Sequence, residues 1–327
     1  MIFKSLFKKK EANSPQVSEA KRRAPQATAE EISQLFISTL LEQNVQNEHN
    51  SIGNTNELDD KLVAKVMAEL TNFNPDTIPK IANASLELME ALIDENVCSS
   101  KIVATVKEDP VLLGKLLHLA NSAFYRCSKT EIESIDDAVI MMGNDEIRKL
   151  VISTLMVDNL KINSVYFRFF GANIWQHSHD VATMAALYAS SKGMNEFQAY
   201  LNGLLHDVGK LVIFKLLIDV LETEAPGTYP SKSFFIDIMD RYSHKFTLMA
   251  LKEWALNPDW IRPILTYQSK VKLESMDLNS QALYISNYCS ELTRLRQSKL
   301  IDDEELSRQL YSKGIELDIY KELINKL

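Results

Sequence analysis

The residues best suited to chemistry are a histidine and, 29 positions later, a histidine-aspartate doublet. His206 and Asp207 are adjacent in GLLHDVGKL, with Leu, Val and Ile around them. A doublet of this kind inside an apolar helical stretch is costly to bury unless each side chain finds a partner, and a buried carboxylate must be paired or bound to a cation. Lys210 is one available partner and a divalent metal is another. Upstream, Ile174, His177, Val181, Met184 or Ala185, and Tyr188 follow one another at spacings of three and four, which puts His177 within the buried stripe of a helix. His179 falls on the opposite, polar face by the same count. His177, His206 and Asp207 together offer two nitrogens and one oxygen, a donor set that borderline divalent ions accept.

The elements that would position them are helical. Thr28 to Asn44 carries Ile32, Leu35, Phe36 and Leu40 at helical spacing behind a Thr28 cap with acidic residues in the first turn. Residues 46–57 are polar and Asn-rich, as a linker would be. LDDKLVAKVMAEL resumes the pattern, Pro75 to Lys80 breaks it, and the main domain is expected to begin near residue 73. Asp109-Pro110 pairs an N-cap with a proline at the first helical position, Ser134 to Asp137 is a second capping signal, Gly143 is a stop and Asn144 a restart. About five short helices are expected up to Leu160, a second helical block follows from about Phe167, and the C-terminal IDDEELSRQLYSKGIELDIYKELINKL supplies one or two amphipathic helices. No alternating strand pattern of any length occurs, so the expected class is all-α, with two packed helical subdomains. The expected division is a basic tail at 1–27, N-terminal helices and linker at 28–72, helical subdomains at 73–165 and 166–296, and C-terminal helices at 297–327.

Composition agrees with this class. The 327 residues can bury a sizeable core, and 9 Gly and 9 Pro leave little material for a turn-rich β architecture. Cys98, Cys127 and Cys289 are far apart and odd in number, which favours neither a disulfide framework nor a CxxC site and suits a reducing cytoplasm. A net charge of −8 disfavours phosphate tracking by the whole molecule, so no nucleic-acid partner is expected. Residues 1–23 nevertheless hold seven basic residues against Glu11 and Glu19, a local +5 that leaves −13 elsewhere. No apolar run reaches the roughly 18 to 20 residues of a membrane span, so stable insertion is not expected, although MIFKSLFKKK could rest on anionic lipid.

With these strings in view the chain resembles the HDOD, or HD-related output domain, family over roughly Pro75 to Leu295. The resemblance is carried by IPKIANASLELMEALI, KEDPVLLGKLLHLANSAFY, IESIDDAVIMMGNDEIRKLVISTL, WQHSHDVATMAALYA and GLLHDVGKL, in that order. It implies an N-terminal helical subdomain packed on one with HD phosphohydrolase topology. In the parent enzymes a histidine, a His-Asp doublet and a distant aspartate bind one or two divalent metals that activate water against a phosphoester. His177 is similar to the first histidine, His206 and Asp207 to the doublet, and Asn287 stands where the last aspartate would. A neutral amide there removes one negative charge and weakens the hold on a hard cation. Gln268-Ser269 stands near where some relatives place a histidine pair, and the GYP signature of the cyclic-dinucleotide phosphodiesterases is absent. His244 matches a position often histidine in these relatives.

Other candidates have plainer readings. Asn121 and Ser122, with Tyr125, follow a helix and suit backbone capping better than ligand contact. Arg148 and Lys149 behind Asp145-Glu146 match ordinary surface pairing. Ile135 to Leu155 could form a helix-turn-helix, but its second helix lacks the basic residues for DNA. The expected function is a cytoplasmic regulatory module that binds a signalling protein or a small nucleotide ligand, with a degenerate metal site and little or no catalysis. The alternative is a metal-dependent phosphohydrolase acting on nucleotides or cyclic dinucleotides. Candidate metal ligands are His177, His206, Asp207 and Asn287, for one ion of Fe, Mn, Ni, Zn or Mg. Candidate groove residues are His244, Lys210, Gln268, Asn121 and Ser122. Oligomeric state is left open.

Overall fold

The computed structural model describes residues 28–42, 60–78, 80–81, 83–94, 96–121, 131–159, 171–226, 231–267 and 272–325. The expected 1–27 tail, the linker at 46–57, and Ser122, Tyr125, Cys127, Gln268 and Ser269 lie outside these residues.

The described residues form fifteen α-helices and no strand, so the all-α expectation holds. Two N-terminal helices, α1 (Ala29–Glu42) and α2 (Asp60–Thr71), precede five short ones: α3 (Asn83–Ile93), α4 (Ser99–Lys107), α5 (Pro110–Ala120), α6 (Ile135–Met142) and α7 (Asn144–Asn159). Then come α8 (Ala172–Ser191), α9 (Glu196–Leu205), α10 (Val208–Glu224), α11 (Lys232–Glu253), α12 (Pro258–Thr266) and α13 (Leu278–Gln297). Two C-terminal helices, α14 (Asp303–Ser312) and α15 (Leu317–Ile324), complete the described helical part.

Several boundaries are set by the capping chemistry visible in the residues. Thr28 and Glu31 exchange backbone-to-side-chain bonds, Thr28 Oγ1 accepting from Glu31 N at 3.2 Å, and so form a capping box. Asp109 Oδ1 accepts from Val111 N and Leu112 N at 2.9 and 3.0 Å, and Ser134 Oγ accepts from Asp137 N at 3.0 Å. Gly143 has φ of 86°, a conformation that favours glycine, which is why α6 stops there and α7 starts anew.

The centre of the molecule is a packed sandwich in which α8 lies between α9 and α13, while α10 pairs with α11 and also touches α2. The main core runs without a break from Phe36 through the short helices to Leu283, and a second cluster joins α13 to α14 and α15 through Tyr288, Leu292, Leu310 and Tyr320. Helix α1 spans both, with Ile32 in the second cluster and Phe36, Ile37 and Leu40 in the first. Arg148 departs from the expected surface pairing. It is 4% exposed, its Nε donates to Leu92 O at 2.8 Å, and its guanidinium lies 4.5 Å from the centroid of Phe197. One residue of α7 thus satisfies the last turn of α3 and stacks on α9, while its ion pair with Asp145 at 3.3 Å is secondary.

Candidate metal centre

His177, His206 and Asp207 converge. One ligand atom from each lies within 4.8 Å of the others, and the three residues are 1%, 6% and 8% exposed. The doublet does not sit inside a helix, as the apolar context suggested, but in the break between two. His206 closes α9 and Asp207 opens α10, with φ −114° and ψ 11°. Ending one helix and starting the next turns both side chains inward together, which two successive residues of a continuous helix, about 100° apart, would not do.

Two glycines bring the surrounding backbones close enough. A Cβ on Gly203 would stand 2.4 Å from Ala182 Cα, so α9 crosses α8 in backbone contact one turn before His206. A Cβ on Gly209 would stand 2.1 Å from Ser243 O, so α10 crosses α11 equally closely two residues after Asp207. Thr247 Oγ1 fastens this second crossing, accepting from Gly209 N at 3.0 Å and donating to His206 O at 3.3 Å.

The imidazoles are oriented for coordination. His206 Nδ1 donates to Gly203 O at 2.7 Å, and its Nε2 lies 3.3 Å from Asp207 Oδ2 and 3.1 Å from Asn287 Oδ1, two acceptors that call for either an N–H or a bound cation at that point. His177 Nδ1 is bonded to Ser290 Oγ at 3.0 Å, and its Nε2 is buried without a hydrogen-bond partner, 3.5 Å from Asp207 Oδ2. Each ring is therefore anchored through Nδ1 and directs Nε2 at the same carboxylate oxygen, the outer-shell arrangement of metal-bound histidines. Two donors about 2.1 Å from one tetrahedral ion are separated by roughly 3.4 Å. The spacings of 3.3 and 3.5 Å match, and three acceptor atoms facing one another require a cation or proton among them. The residues present fit a divalent metal.

A cation of the chain's own is also present. Lys210 Nζ lies 2.5 Å from Asp207 Oδ2. Burial by itself would raise the Asp207 pKa, but His206 and Lys210 outweigh it and hold the carboxyl well below its ordinary range. Burial lowers His177 well below its ordinary value, so the ring is neutral and available as a ligand.

Asn287 does face the site, one turn before Glu291. Its Nδ2 donates to Glu291 Oε1 at 3.1 Å and to the Tyr267 hydroxyl, which assigns Oδ1 to His206. Glu291 was not among the sequence candidates. It is buried, and desolvation, with Asp207 adding, raises its pKa to about 7. Helical spacing of four from Asn287 on α13 was the available signal. His244 is not part of this cluster of ligand atoms. His244 is half-buried on α11, where desolvation lowers its pKa. Asn121 bonds Leu117 O and Ile132 O through Nδ2 and Ile132 N through Oδ1, at 2.8–2.9 Å, so its amide holds backbone. His179 is not on a polar face: it is buried, with Tyr200 OH 3.1 Å from Nδ1 and Ser153 Oγ 3.0 Å from that hydroxyl. Helix α8 keeps an outer stripe through Ala172, Gln176, Asp180, Thr183 and Leu187, and His179 lies beside it, covered by Tyr200 of α9.

All-α packing around a His, His-Asp trio defines an HD-type helical protein. The HDOD domain family matches residues 78–270, more than half of the chain, and the chain belongs to that family. Among solved structures, one from Shewanella amazonensis SB2B, named for a presumed phosphohydrolase, is similar at 21% identity and a TM-score of 0.54, covering 80% of this chain and 94% of that one. Another from Marinobacter aquaeolei VT8, named for a presumed signal transduction protein, has 18% identity and a TM-score of 0.53, covering 83% and 65%. Ribonuclease Y of Mesoplasma florum is 33% identical over 89 residues, which is 27% of this chain and 18% of that protein. The chain covers less than a third of the length of the curated relatives it matches. Among the described residues, no helix is long and apolar enough to cross a membrane.

Proposed function

We propose that this chain is a cytoplasmic regulatory module, with subdomains at 73–165 and 166–296, that binds a signalling protein or a small nucleotide ligand and hydrolyses little or nothing. The observation that carries the reading is the charge count at the centre. His177, His206, Asp207 and Asn287 bring one negative charge, which Lys210 at 2.5 Å already answers, and Glu291 behind Asn287 is only part ionised at neutral pH. A divalent ion there would have to displace an ammonium and would gain a neutral amide in place of a carboxylate, so its affinity is weakened on both counts.

A second reading, metal-dependent hydrolysis of a nucleotide or cyclic dinucleotide, is favoured by the unpartnered Nε2 of His177. In that case His177, His206 and Asp207 would hold the ion. A bound metal supplies a water of lowered pKa. The chain's part is to keep both rings fixed through Ser290 and Gly203 O, and to exclude bulk solvent.

The two readings separate on untagged protein. Bound Fe, Mn, Ni, Zn and Mg are measured, and p-nitrophenyl phosphates and cyclic dinucleotides are offered with each metal added back. Less than one metal per chain and no turnover is the expected result. Stoichiometric metal with turnover that His206→Ala abolishes would establish the hydrolase instead.

A further inference from the structure

Helix α1 lies outside the family match and against the metal centre. Phe36 is fully buried, its ring centroid 4.4 Å from that of His177 and 5.5 Å from Lys210 Nζ. The helix is held at two polar points. Asn173 Nδ2 donates to Leu40 O at 2.9 Å, and Arg294 Nε donates to Thr39 Oγ1 at 3.2 Å. Its apolar seat is made by α11 and α13, the latter being the helix that carries Asn287 and Glu291. The opposite side carries Glu31 and Leu35, the latter 36% exposed.

We propose that α1 is a displaceable plug over the ring of His177, whose departure opens the α11 and α13 side of the centre to a metal ion or phosphoryl ligand. This rests on reading that trio as a metal-capable centre. Three considerations favour displacement over a fixed wall. A 14-residue helix is marginal by itself in water, so α1 owes its order to the seat. Seventeen residues, 43–59, join it to α2, and their covalent reach of roughly 56 Å lets α1 leave with α2 in place. Phe36 touches both a candidate ligand and the internal cation, so loss of this one helix uncovers the ring of His177 and frees Lys210 to move.

Carboethoxylation of histidines by diethyl pyrocarbonate, followed by mass spectrometry on the full chain, tests the plug without any metal. The reagent takes neutral imidazole. The less buried His118 serves as the fast reference and buried His179, away from α1, as the slow one. Asn173→Ala removes one tether and should raise His177 labelling on the order of fivefold, as expected for one lost hydrogen bond. Ile37→Asp, which puts a carboxylate into the seat, should raise it much further, and Leu35→Asp on the outer side should leave it unchanged. His177 labelling at the wild-type rate in both Asn173→Ala and Ile37→Asp overturns the plug, as does a rise shared equally by His179. Uptake of Mn2+, followed by its electron spin resonance signal, should be slower in wild type than in Ile37→Asp, and equal rates count against the plug. Absence of Mn2+ binding in every variant, alongside a His177-specific rise in labelling, would leave the plug standing and remove the metal reading.

Discussion

Asn287→Asp restores the missing charge, and the surroundings of the residue dictate how the effect should depend on pH. Glu291 Oε1 is 3.1 Å from Asn287 Nδ2. Two ionised carboxylates at that separation repel by about 5 kcal/mol at an effective dielectric of 20. Glu291 already titrates near 7 in the presence of a neutral amide. Without metal, the introduced carboxyl and Glu291 must therefore keep one proton between them through neutral pH, and a divalent ion beside His206 must release it. The expected gain in Mn2+ affinity is about tenfold at pH 6, rising towards a thousandfold at pH 8, since one released proton adds about one unit to the slope of log K against pH. Calorimetric titration in two buffers of different ionisation enthalpy counts that proton directly. A variant that is folded by circular dichroism, yet binds Mn2+ no more tightly than wild type at both pH values, would refute the placement of Asn287 at the fourth corner.

The glycine crossings, the inter-helix arginine and the buried histidine each make a separate prediction. Gly209→Ala places a methyl 2.1 Å from Ser243 O and 2.3 Å from Thr247 N, both backbone atoms, and should destabilise by about 3 kcal/mol or more in urea unfolding; a loss below about 1 kcal/mol would mean the crossing yields easily. Arg148→Met strands Leu92 O and loses the stack on Phe197, for about 2–3 kcal/mol, and Arg148→Lys should recover only a minor part because an ammonium lacks the planar fork. Burial lowers the His179 pKa from 6.5 to about 4. The unfolded chain then binds a proton the native state refuses, so this stability is full above pH 6.5 and declines as pH falls to 4, by up to about 3 kcal/mol at 1.36 kcal/mol per pH unit. His179→Gln should flatten that part of the unfolding profile, and an unchanged profile would show that His179 titrates normally.

Much of the fold is legible because it depends on local chemistry. Thr28, Asp109, Ser134 and Gly143 act within three or four residues of themselves, and the structure uses each as expected. Periodicity found His177 for a related reason, since one helix face is a local property. It failed for His179 and Arg148 because it places the outer stripe of a helix only to within about a residue and says nothing of partners supplied by other helices. His179 sits beside the outer stripe of α8 and is covered by α9, and Arg148 keeps its pair with Asp145 while also serving a carbonyl 56 residues away. Polarity predicts exposure only until a partner is supplied from elsewhere in the chain.

What stayed hidden was what lies across the site. The cover of His177 comes from Phe36, 141 positions earlier, and its ring anchor from Ser290, 113 positions later. Neither has a spacing rule, because tertiary proximity depends on how α1 and α13 dock. The doublet was misplaced for a subtler reason. LLHDVGKL is apolar enough to continue a helix, yet Gly203 and Gly209 pin its two sides to different neighbours, α8 and α11, and a straight helix cannot satisfy both crossings. The break falls at His206-Asp207, the one pair whose polar side chains gain bonds by turning inward: to Gly203 O, Asn287 and Lys210. The glycines thus select the register at which the helix divides, and the site chemistry follows from that division.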